Sequence, residues 1–172
     1  PTVNYTSPNA TGSLSFTPVA NANGSGTTVT VTVSDGVATT QRTFTVNVAS
    51  VNDAPTLDAI ADVNINEDAG LQTVNLSGIS TGALNETQTL TVTAVSSNTS
   101  IIPNPTVTYT SPTATGSIRF TPVANAYGSA NVTVTVSDGV TSTPRTFAVN
   151  VAGVNDAPVA GFTGSTVSGT GP

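Results

Sequence analysis

The 172-residue chain contains no cysteine, methionine, tryptophan, histidine or lysine, and its only cations are Arg42, Arg119 and Arg145. These absences remove most reaction chemistry. A hydrolytic triad needs an imidazole or a substitute base, and zinc or haem sites need His or Cys, so only carboxylates are left to act. Three arginines against nine acidic residues give a net charge of −6, which provides no basic surface for nucleic acid or for an anionic membrane. No apolar run approaches the ~18 residues of a membrane-spanning helix, and the N-terminus lacks the basic-then-apolar layout of a signal peptide, so the chain reads as an internal piece. Charged residues make up only 7% of the chain, against roughly 25% in an ordinary globular protein. A surface solvated by hydroxyls and amides correlates with exported surface proteins.

What is present is a repeat. PTVNYTSPNATGSLSFTPVANANGSG from Pro1 matches PTVTYTSPTATGSIRFTPVANAYGSA from Pro105, and VTVTVSDGV occurs around both Asp35 and Asp138. The spacing is 103 residues from Asp35 to Asp138 and again from Asp53 to Asp156, but 104 from Pro1 to Pro105. One residue has therefore been lost beside Ala130, opposite Gly26, and a turn is the expected place for it.

Each copy alternates with the two-residue period of a half-buried strand. Val29, Val31 and Val33 fall on one face with Thr30 and Thr32 on the other, and Phe44, Val46 and Val48 alternate in the same way. Val132, Val134 and Val136, then Phe147, Val149 and Val151, repeat the pattern. Ser34-Asp35-Gly36 and Ser137-Asp138-Gly139 carry turn chemistry between antiparallel neighbours. From Pro55 onward, strands are predicted near 62–66, 72–76, 90–95, 106–110, 117–121, 132–137 and 146–151. Seven short strands in about 100 residues, with no capped helical stripe, predict an all-β, immunoglobulin-like Greek-key sandwich.

The Val-rich strand, the SDG turn, the aromatic-bearing strand and the terminal VNDAP, present twice at Val51–Pro55 and Val154–Pro158, resemble the cadherin-like and immunoglobulin-like tandem repeats of large bacterial surface adhesins. The resemblance implies three parts: the C-terminal half of one repeat over residues 1–54, a complete repeat over residues 55–157, and a tail over residues 158–172. That tail is similar to the opening strand of a PKD domain. It also implies calcium held at the joints by acidic side chains. Topology brings Asp138 and Glu86 to the pole of Asn52 and Asp53, and sends Glu67 and Asp68 toward Asn155 and Asp156; Asp35 faces a joint further upstream. The cadherin joint Asp-x-Asn-Asp-Asn-Ala-Pro has lost its first Asp and second Asn here, whereas calcium takes six to eight oxygens. Asp and Asn in turns also bond their own backbone without any metal.

The expected role is a non-catalytic structural or adhesive repeat of an extracellular or cell-surface protein, acting as a stiff spacer between neighbouring repeats. Glycosidase chemistry needs paired acids in a cleft with aromatic platforms, and Tyr5, Phe16, Tyr109 and Phe120 fall instead on strand positions that predict core. Two other readings stay open. One is recognition of a surface glycan or protein through polar loops such as residues 98–105. The other is a filament in which a second copy of the chain donates strands to the half repeat. Alone, that half would expose Phe16, Val31, Val33 and Phe44, whose burial is worth about 1.5–3 kcal/mol each.

Overall fold

A computed structural model describes residues 1–158, so beyond Pro158 the expected start of a following module lies outside the described residues. Every regular element among them is a strand. The first copy forms β1 (Thr2–Asn4), β2 (Ser13–Ser15), β3 (Gly24–Ser34) and β4 (Thr39–Val48), paired as two antiparallel hairpins, β1 with β2 and β3 with β4.

The second copy contributes seven strands: β5 (Val63–Asn66), β6 (Gln72–Leu76), β7 (Thr91–Ser96), β8 (Thr106–Thr108), β9 (Gly116–Phe120), β10 (Gly128–Ser137) and β11 (Ser142–Ala152). They make a four-stranded sheet in the order β5-β11-β10-β7 and a three-stranded sheet in the order β6-β9-β8. Neighbours are antiparallel except β5, which runs parallel to β11. The Val/Thr alternation decides which face is dry. Val132, Val134, Val136, Phe147, Val149 and Val151 turn inward from β10 and β11 and meet Leu76, Ile118 and Phe120 of the facing sheet. This is the two-layer packing of a β-sandwich, with the β-branched residues filling the pleated inner surfaces.

The seven predicted strands all form, with shifted ends. β11 begins at Ser142, ahead of the expected Thr146, and β10 begins at Gly128, because the hairpin closes in register from Ser137 opposite Ser142 to Gly128 opposite Val151. Pro144 is tolerated within β11 because it stands opposite Thr135 at a stretch where β5, limited to Val149–Ala152, is not alongside.

The extra residue of the first copy does not lie in a turn, as expected, but within a strand. Gly24 stands opposite Val48 and Thr27 opposite Val46, leaving Ser25 and Gly26 to share Asn47. This is a β-bulge, and Gly26 supplies the positive φ of 81° that it needs. The Asn47 side chain completes it by accepting the Gly26 N–H at 2.9 Å.

Candidate functional site

The residues singled out by the sequence meet where the VNDAP segment enters the second copy. The SDG turn between β10 and β11 supplies the anchor. Asp138 Oδ1 accepts the N–H groups of Val140 at 2.7 Å and Thr141 at 2.6 Å, and Oδ2 accepts Thr141 Oγ1 at 3.0 Å. Asn52 then reaches across, donating from Nδ2 to Asp138 Oδ2 at 3.0 Å. With four donors on one buried carboxylate, first among them the Thr141 N–H and next the Asn52 amide, the Asp138 acid is held well below the usual carboxylate range.

The rest of the segment is fixed by groups from two places, the loop between β6 and β7 and strand β11. Gln88 Nε2 donates to Asn52 Oδ1 at 2.9 Å, so both ends of the Asn52 amide are engaged. Glu86 Oε1 accepts the Asp53 N–H at 2.7 Å; the Asp53 contact is made by its backbone. Thr143 and Arg145 on β11 donate to the carbonyls of Pro55 and Leu57, the latter from Nε at 2.9 Å. Gly82, at a φ of 99°, lies so close that a methyl group there would collide with the Ala54 carbonyl. These contacts satisfy backbone groups of a segment that has no sheet partner until the single bridge of Thr56 with Ser80.

At the C-terminal joint the expected approach of Glu67 occurs: its buried carboxylate accepts the Val154 N–H at 2.6 Å. Asp68 is turned elsewhere, accepting the Asn125 N–H at 3.0 Å from the loop between β9 and β10. Asn155 donates to the Asp156 carbonyl at 3.3 Å, the same local contact that Asn52 makes to the Asp53 carbonyl at 3.0 Å.

Several of these carboxylates are engaged by donors of the protein itself. Among the described residues no three carboxylates gather in ligand geometry. Both oxygens of Asp138 are filled by N–H and O–H donors, and the buried acceptors left without a hydrogen bond at this pole are Glu86 Oε2 and Gln88 Oε1. As built, the joint is closed by hydrogen-bond donors.

Gln88, Thr141, Thr143, Arg145 and Gly82 were not singled out in the sequence. One signal for Thr141 was available, since the matching residue of the first copy is Ala38 and the two copies differ at few turn positions. Arg145 had another, because Arg42 occupies the same place on β4. Asp35 is the internal control. It accepts Val37 N–H at 2.9 Å and Ala38 N–H at 2.8 Å, which is the turn alone, without an amide arriving from a joint. Those N–H groups, Ala38 first, lower its acidity range as well.

No family model and no curated protein sequence matches this chain. Among solved structures, domains 4 and 5 of the S-layer protein SbsC are 21% identical at a TM-score of 0.40, covering 74% of this chain, which spans 58% of that one. A chimeric titin Z1Z2 is 16% identical at a TM-score of 0.44, with 60% of this chain and 99% of that chain covered. The endo-fucoidan hydrolase MfFcnA4, from glycoside hydrolase family 107, is 20% identical at a TM-score of 0.42, covering 80% of this chain and 20% of that one. At these values the likeness adds nothing to the strand pairing, on which the all-β sandwich rests.

Proposed function

We propose that this chain is a non-catalytic stretch of a tandem-repeat array in a large extracellular or cell-surface protein, of the cadherin-like and immunoglobulin-like kind, in which each sandwich is a stiff spacer. The observation that carries the reading is the clamp on residues 52–57. A segment linking two repeats is held through Asn52 and through hydrogen bonds to its own backbone, the Asp53 N–H donating to Glu86 and the Leu57 carbonyl accepting from Arg145, where a flexible linker would leave those groups to water. Proline at position 55 removes further freedom, since its ring fixes φ and restricts Ala54.

Recognition through the loop of residues 98–105 has less to work with. Ile102 is turned into the core, Asn104 Oδ1 accepts the Ser96 N–H at 2.9 Å, and Asn98 holds the loop through its carbonyl. The spacer role is tested by small-angle X-ray scattering on arrays of two, four and six copies of the 55–157 unit. Stiff joints make the maximum dimension grow by a constant increment of at least about 33–36 Å per unit, the span of its 10- and 11-residue strands at ~3.3 Å per residue. Growth as the square root of the number of units, the behaviour of flexible linkers, rejects the reading.

A further inference from the structure

Strand β7 is an edge of the four-stranded sheet: β10 lies along one side of it, and among the described residues no strand is paired along the other. The ladder fixes which backbone groups face that open side. Ser97 donates its N–H to the Asn131 carbonyl at 2.8 Å. In an antiparallel pair such bonds recur at every second residue, so Thr91, Thr93 and Val95 turn their backbone groups toward β10. Leu90, Val92, Ala94 and Ser96 therefore turn theirs outward. Two side chains agree with this parity and close the ends: Ser111 Oγ accepts the Leu90 N–H at 3.0 Å, and Asn104 Oδ1 accepts the Ser96 N–H at 2.9 Å. Between those caps the N–H and C=O groups of Val92 and Ala94 lie along the unpaired edge.

The common protections of an edge, a charge, a proline or a bulge, are absent from β7. From Thr87 to Ile118 the chain carries no charge at all, although the whole chain stands at −6. The outer face beside the edge is made of Thr91, Thr93 and Val95, all exposed, with Val95 at 57%. By contrast, the stretch of β11 that β5 does not reach carries Pro144. The open stretch of β7 is short and self-complementary, and both properties select its occupant. A long extended peptide finds the Leu90 and Ser96 N–H groups already taken, whereas a second β7 needs only the span between the caps. Run antiparallel about a two-fold axis at Thr93, Val92 pairs with Ala94 of the other copy and Ala94 with its Val92, and Val95 comes opposite Thr91.

We propose that the Val92–Ala94 edge is a self-association surface, at which two copies of this chain join edge to edge so that the sheet β5-β11-β10-β7 continues into the same sheet of the other copy. Thr93 then faces its own counterpart at a non-hydrogen-bonded position, where Cβ atoms stand about 4.5–5.5 Å apart. Both strands offer uncharged side chains there, so the negative charge of the chain is kept away from the contact. The surface is small, so one pair of repeats associates weakly, and two arrays lying side by side gain from each further pair in register. This surface is independent of the spacer role, which depends on the joint rather than on the edge.

The test is sedimentation equilibrium of the full chain from about 10 μM to 1 mM, the range of weak contacts, with Thr93→Lys, Thr93→Glu and an equimolar mixture of the two. Thr93 is exposed, so both variants should keep the parent's melting temperature. The parent should rise toward twice the chain mass. Each variant alone should associate about 10-fold more weakly or less still, since like charges then stand opposite each other, and the mixture should regain the parent's affinity. Amide hydrogen exchange reads the register: Val92 and Ala94 should slow as concentration rises, while Thr91, Thr93 and Val95, already bonded to β10, should not change. The proposal is overturned if the parent keeps one chain mass at the highest concentration, or if both variants associate as the parent does, which puts the contact elsewhere. It is equally overturned if the mixture is no stronger than either variant, or if the added protection misses Val92 and Ala94.

Discussion

Asn52 and Asp138 are 86 residues apart in sequence and 3.0 Å apart in space, amide Nδ2 to carboxylate Oδ2. One belongs to the segment that enters the repeat and the other to the hairpin turn that ends β10, so this contact ties the entrance of the sandwich to its last two strands. It is strong for its size because Asp138 is buried and already oriented by its own turn: a charge-assisted bond to a fixed acceptor requires little ordering when it forms.

Replacing Asn52 or Asp138 with Ala should lower the melting temperature of the chain by about 5 °C or more, since either change strands a polar group that the other satisfied. Asp35→Ala loses only the turn bonds to Val37 and Ala38 and should cost clearly less. Differential scanning calorimetry of the three variants measures the order; equal losses at Asp35 and Asp138 reduce the contact to ordinary turn chemistry.

Acid should weaken the same joint. The Asp138 carboxylate has a folded-state pKa below the unfolded value of about 3.9, so the native state resists protonation. Its contribution is complete above about pH 4 and is lost as pH falls through the lower, folded pKa. A melting temperature that declines from pH 4 toward pH 2, with a shallower decline in Asp138→Asn, is the expected result. Parallel curves for the two proteins remove Asp138 from the acid response.

Calcium should leave stability unchanged. A bound ion adds RT ln(1 + [L]/Kd), which at 100-fold excess over Kd is ~2.7 kcal/mol and easily seen as a shift in melting. The Asp138 oxygens are already taken by four donors. Melting curves in 5 mM calcium and in chelator should therefore superimpose; a rise with calcium means that the joint rearranges around an ion.

Gly82→Ala tests how closely the loop approaches the joint. Its φ of 99° disfavours any side chain, and the added methyl meets the Ala54 carbonyl. The combined strain should cost about 2 kcal/mol or more in urea unfolding. Gly139→Ala, also at positive φ but in open space, should cost less.

Val134→Ala and Val31→Ala make the same chemical change at matched positions. Val134 is fully buried and should lose about 2 kcal/mol or more, transfer and cavity together. Val31, facing a groove between the two hairpins of the first copy, should lose well under half as much in the same chain. Hydrogen exchange or denaturant unfolding that resolves the two halves distinguishes them.

Strand identity was legible because it depends on local chemistry. Val and Thr at alternate positions commit β3, β4, β10 and β11 to one polar and one apolar face, and Ser-Asp-Gly closes each hairpin whatever else is nearby. The gathering of Asn52, Glu86 and Asp138 at one pole also followed from strand direction. The bulge at Gly26 was not legible, because a spacing of 104 against 103 counts an extra residue without saying whether a turn or a ladder absorbs it. The roles of Gln88, Thr143, Arg145 and Gly82 were hidden as well, since each acts on backbone atoms of a segment distant in sequence.

The sequence by itself determined which residues form strands, which face of each is apolar, and that the unit repeats, since propensity and periodicity are properties of the chain within a few residues. Tertiary structure alone decided what those faces and carboxylates do. Val33 and Val136 carry the same pattern, yet only Val136 is dry, because burial requires strands from elsewhere in the chain to lie over it. Asp35 and Asp138 make the same turn, yet only Asp138 receives a joint, because that depends on where the preceding segment is brought.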